Sequence, residues 1–88
     1  MSTSVAKILS TETNVAVVQL PNRQFPGSVV QGDSLKCLCD LANEIVSRVS
    51  DSEDKELVNV AKELQEQLNG RLVIYEQVLR THGMALPC

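Results

Sequence analysis

One run of helical periodicity dominates this chain and limits what it can fold into. From residue 51 to about residue 82, Leu57, Ala61, Leu64, Leu68, Leu72, Tyr75 and Leu79 recur every three or four positions, with Val60, Val73 and Val78 beside them. That spacing is the apolar stripe of an amphipathic helix. At 1.5 Å per residue, about 28 residues of such a helix are roughly 42 Å long. A compact domain of 88 residues measures about 25–30 Å across. Part of the helix is therefore expected to pack against something outside the monomer. Gly70 lies inside the run at a cost of about 1 kcal/mol relative to alanine, which marks it as a candidate close-packing position. Gly83 suits the first position past the helix end, with Arg80 and His82 in the last turn and a short tail over residues 83–88.

A shorter helix precedes it. Leu35, Leu38, Leu41 with Ala42, Ile45 and Val49 give a second stripe over residues 34–49, flanked by Cys37, Cys39 and Val46. Asp33 or Ser34 is its expected N-cap. Ser50-Asp51-Ser52 interrupts the pattern. Ser50 and Glu53 fit a capping box for the long helix, and Asp51, Glu53 and Asp54 suit the positive end of its dipole.

Upstream the period changes to that of strands. Residues 5–9 form a candidate short strand, and Ser10-Thr11-Glu12-Thr13-Asn14 reads as a polar turn. Val15-Ala16-Val17-Val18-Gln19-Leu20 is apolar on both faces, as a central strand requires. Pro21 ends it, a loop spans residues 22–27, and Ser28-Val29-Val30-Gln31 supplies a further strand. The predicted fold is α+β: a small antiparallel sheet of two or three strands over residues 5–31, followed by two helices, in one domain. Two helices suffice to cover one face of such a sheet, and the other face then needs a neighbour. Phe25 and Tyr75 are the only aromatic residues, so Val, Leu, Ile and Ala must supply the core.

Charge and composition narrow the function. Residues 33–66 hold nine acids and four bases, a balance of −5, whereas the rest holds four bases and two acids, a balance of +2. A basic cluster with interleaved aromatic residues is missing, which disfavours nucleic acid as a partner. The acidic half is a solvated helix face or a complement to a basic protein. No stretch approaches the roughly 20 apolar residues that span a bilayer. The start of the chain lacks the pattern of a secretory signal, and three cysteines without framework spacing fit a reducing cytoplasm. Cys37 and Cys39 point to nearly opposite sides of a helix and cannot pair with each other.

Catalytic constellations are poor. His82 with Cys37, Cys39 or Cys88 is a conceivable nucleophile pair, but a helix-end role explains the histidine. No C-x-x-C knuckle indicates zinc, and Gly27 and Gly32 read as isolated turn glycines without a phosphate-binding pattern. The expectation is a non-enzymatic chain without cofactor or metal.

The segment Phe25-Pro26-Gly27-Ser28-Val29-Val30-Gln31-Gly32-Asp33-Ser34-Leu35 resembles the strand–turn–helix of HicB-like antitoxins. The match extends over about residues 14–49. Together with Tyr75-Glu76, Leu79, His82-Gly83 and Leu86-Pro87, the same segment resembles a small bacterial family of single-domain proteins of antitoxin or immunity type. The resemblance implies a cytoplasmic antitoxin or immunity protein that neutralises a cognate toxin by occluding its active site. The chain departs from the HicB-like pattern at Lys36-Cys37-Leu38-Cys39, where acidic residues are usual, and a long helix stands in place of a DNA-binding segment.

The expected contact residues are Arg23 and Phe25 at the loop tip, Asp40 and Glu44 on the outer side of the first helix, and Asp51, Glu53 and Asp54 at the start of the second. Phe25 has an alternative role as a core plug beneath the Pro26-Gly27 turn. The competing function is a structural or regulatory homodimer whose long helices pair to complete the core. HicB-like folds also resemble double-stranded RNA-binding architecture, a reading the charge argues against.

Overall fold

The computed structural model describes residues 5–12 and 15–86. The chain divides into two compact units, Met1–Gln31 and Gly32–Cys88. A three-stranded antiparallel sheet is followed by two helices, the second long, which is the α+β arrangement the sequence predicts.

The first unit is a meander in the order β1-β2-β3, with β1 at Lys7–Glu12, β2 at Val15–Gln19 and β3 at Gly27–Val29. β2 is central, as its two apolar faces predict. β1 runs through Ser10, Thr11 and Glu12, which the sequence reading gives to a turn. Their main chains pair with Val17, Ala16 and Val15, and this pairing outweighs the polar character of the side chains. The connection that remains, Thr13-Asn14, lies outside the described residues. Between Ile8 and Ser10 the register shifts by one, so Leu9 is the extra residue of a bulge. On the other side Ala16, Val17 and Val18 pair with Val29, Ser28 and Gly27. The loop after β2 turns at Asn22, whose φ of 65° is a conformation asparagine tolerates better than most residues. The Gln19 side-chain amide closes that loop by donating to the carbonyl of Arg23 at 2.9 Å.

The second unit is a helical hairpin of α1 (Gly32–Val49) and α2 (Lys55–Thr81). α1 starts at Gly32, ahead of the expected caps, and the Asp33 carboxylate accepts from the Ser34 N–H at 2.8 Å within the first turn. α2 starts four residues later than expected. The Asp54 side chain caps it, accepting from the Leu57 N–H at 3.1 Å, so the Ser50–Glu53 capping box does not form the helix start. Ser52 in turn accepts from the Asp54 N–H, which orders the connection. α2 ends as predicted. His82 is its C-cap, Gly83 has φ 66°, and the N–H groups of Gly83 and Met84 reach back to the carbonyls of Arg80 and Leu79 in a Schellman arrangement.

The core of the hairpin corrects the expected stripes. Leu35, Cys39 and Ala42 are the buried residues of α1, and Val58, Ala61 and Leu79 those of α2. Cys39, read as a flanking residue, is the most covered of them at 1% exposure. Leu38, Leu41 and Ile45, read as core, stand at the surface, as do Leu57 and Leu64. The buried and half-buried positions Gly32, Leu35, Cys39, Ala42, Val46 and Val49 alternate by three and four, as do Val58, Ala61, Gln65, Leu68, Leu72, Tyr75 and Leu79. That is the seam of an antiparallel coiled coil. The small residues Cys39 and Ala42 occupy its middle on α1, and the larger Gln65 and Leu68 its middle on α2.

Candidate interaction surface

The register of the hairpin fixes which side chains share a side. The Tyr75 ring fills the space beside Gly32, and the Asn43 side-chain oxygen accepts from Gln65 at 2.9 Å and from Asn69 at 3.2 Å. With the helices antiparallel, these contacts set Leu35 opposite Leu72, Cys39 opposite Leu68, Ala42 opposite Gln65, Val46 opposite Ala61 and Val49 opposite Val58. Stepping back one residue from the seam turns about 100° around either helix, and in an antiparallel pair both steps lead to the same side. On α1 the step gives Leu38, Leu41 and Ile45, bounded by Ser34 and Arg48. On α2 it gives Leu57, Val60 and Leu64, then Gln67 and Arg71, then Ile74 and Val78 further along. The eight aliphatic side chains are exposed. Stepping forward gives the opposite side, with Lys36, Asp40, Asn43 and Ser47 on α1 and Asn59, Lys62, Glu66, Asn69, Val73 and Glu76 on α2. The hairpin thus has one side rich in aliphatic residues and one that is polar except at Val73.

The sequence reading missed this surface because it merged two stripes that lie one residue apart. The signal was present. Leu57, Val60 and Leu64 repeat at three and four, and so do Leu38, Leu41 and Ile45, each set one position before a buried set.

The expected contact residues fall in several places. Phe25 is 75% exposed, so it is not a core plug, and Arg23 is exposed in the same loop. Asp40 and Glu44 are exposed on α1, but each carboxylate already has a cation one turn away on its own helix. Lys36 lies 2.6 Å from Asp40, and Arg48 lies 3.1 Å from Glu44. The Asp40 hydrogen bond and charge raise the Lys36 ammonium above its usual range. Asp51 and Glu53 are exposed in the connection between the helices, whereas Asp54 is occupied as the cap of α2.

The cysteines differ in environment. Burial pushes the Cys39 thiol up, which opposes the thiolate form that nucleophiles and metal ligands need. Cys37 is exposed on the outer surface of α1. His82 uses its main-chain N–H to cap α2. Among the described residues no group of three or more His, Cys, Asp or Glu side chains is placed to hold a metal ion. Among the described residues no helix is long and apolar enough to cross a membrane.

Comparison with curated proteins and with solved structures finds no match. A family model matches from the first residue to the last: over residues 1–88 the chain belongs to DUF6959, a family of unknown function.

Proposed function

We propose that the protein is a non-enzymatic protein-binding module. The observation that carries this reading is the apolar side of the hairpin, where Leu38, Leu41, Ile45, Leu57, Val60 and Leu64 are exposed together. Contiguous apolar patches larger than a few hundred Å² are rare on monomers and, when rimmed by polar residues, mark docking surfaces.

The resemblance of residues 25–35 to HicB-like antitoxins supports a specific version of this function. The chain acts in the cytoplasm as an antitoxin or immunity protein and covers the active site of a cognate toxin. Arg23 and Phe25 supply loop contacts, while Asp40, Glu44, Asp51 and Glu53 complement a basic toxin surface. Asp54 contributes by capping α2.

Capture of the tagged protein from its native host at moderate salt tests the proposal. The expected companion is a near-stoichiometric protein with a toxin-like domain. Asp40→Ala with Glu44→Ala should weaken that complex and flatten its salt dependence. Recovery of the chain without a foreign protein would leave the toxin version unsupported, and an unchanged affinity in the double variant would remove the acidic side of α1 from the interface.

A further inference from the structure

We infer that the apolar side of the hairpin seats a second copy of this chain, two hairpins stacking face to face as a four-helix bundle. The inference rests on reading that side as a docking surface and names its occupant. A lone helical pair needs one seam on each helix. Both α1 and α2 carry two: the buried one through Cys39 and Ala42, or Val58 and Ala61, and the exposed one through Leu38, Leu41 and Ile45, or Leu57, Val60 and Leu64. The two seams are separated by about 100° around each helix. In a four-helix bundle each helix meets two neighbours at close to a right angle, so it needs apolar stripes at this separation.

The chemistry of the surface fits a copy of itself. No charged residue falls within the exposed stripe between Leu38 and Ile45 or between Leu57 and Leu64, and Arg48 and Arg71 stand beyond its ends. A two-fold axis therefore brings aliphatic side chains onto aliphatic side chains without opposing like charges. The area is also sufficient. The six side chains are 41–59% exposed. They present on the order of 500 Å² per chain, so these side chains remove at most about 1,000 Å² from water in two copies, the size of a weak, reversible interface.

Sedimentation equilibrium on the full chain, over a concentration range reaching about 100 µM, tests the inference. The wild type should show a monomer–dimer equilibrium. Leu41→Lys should be monomeric, whereas Asn59→Lys, which adds the same charge on the polar side, should dimerise as the wild type does. Circular dichroism follows helix content in both. Should Leu41→Lys lose its fold, Val60→Thr replaces it as the probe, with dimerisation expected to weaken by about tenfold or more, because each of the two copies buries a hydroxyl. A monomeric wild type, or equal behaviour of Leu41→Lys and Asn59→Lys, overturns the second copy as occupant. A foreign partner that binds Leu41→Lys as tightly as the wild type removes this side as the carrier of the proposed function without touching the second copy, so the two ideas fail separately.

Discussion

The Tyr75 phenol ring occupies the space in which a side chain at residue 32 would lie. Gly32 is the first residue of α1 and Tyr75 lies towards the end of α2, so the pair closes the open end of the hairpin. A methyl group at residue 32 must displace the ring. Gly32→Ala should therefore destabilise the protein by about 1 kcal/mol, in spite of alanine's better helix propensity. In a Tyr75→Ala background the obstruction is gone and the same substitution should cost nothing. Urea unfolding of the four proteins gives the coupling; additive effects would contradict this account.

Gly70 should respond in the opposite direction. The sequence marks it as a candidate for close packing, yet a Cβ built there meets nothing within 4 Å, and the residue is exposed. Its cost to α2 is therefore uncompensated within this chain. Gly70→Ala should raise stability by about 0.5–1 kcal/mol. A loss of stability would mean that the position is covered in the protein as it exists in solution.

Asp54 separates a capping role from a binding role. Asp54→Ala removes the acceptor of the Leu57 N–H and should cost about 1 kcal/mol, while Asp54→Asn should keep most of it. Thermal unfolding ranks the three proteins. Equal losses for Ala and Asn would point to charge rather than the cap hydrogen bond.

The two described cysteines should differ sharply in reactivity. Cys37 is exposed and Cys39 is buried with its thiol pushed up. Alkylation followed by peptide mass spectrometry should modify Cys37 first and reach Cys39 at the rate of hairpin opening. The raised value also has a sign in the folding equilibrium. The unfolded thiol ionises near its ordinary value of 9.0 and the folded one above it, so this contribution is intact below about pH 9 and is lost as pH rises beyond it. Unfolding free energy should fall as pH rises beyond about 9, and the fall should shrink in Cys39→Ala. The Lys36–Asp40 pair weakens only at higher pH, because Lys36 is held above 10.5.

Element types and order were legible in the sequence, because strand and helix periods differ and Pro21 and Gly83 mark clear ends. What misled was the density of aliphatic residues on the helices. With Leu38 beside Cys39, and Leu57 beside Val58, size favours the leucine as core. Close approach of two backbones favours the smaller residue, and only the three-dimensional pairing reveals which rule wins. The start of α2 was misplaced for a related reason. Several polar residues from Ser50 to Asp54 can cap a helix, and their choice depends on where Val49 must hand over to Val58 across the seam. Exposure of Arg23, Asp40 and Glu44 was legible, Phe25 stood open between loop tip and core plug, and the apolar side was hidden by its overlap with the seam stripe one residue away.

The short connection between α1 and α2 also has a consequence in time. Only residues 50–54 separate the helices, so the first layer, Val49 opposite Val58, closes a loop of about ten residues, an event of roughly 10–100 ns. Each later layer lengthens the closed chain by a few residues on either side, ending at Gly32 and Tyr75. Assembly in this order keeps every new contact close in sequence to one already made, the condition for fast folding. Substitutions near the turn should therefore act on the folding arm of a chevron, and those at the open end on the unfolding arm.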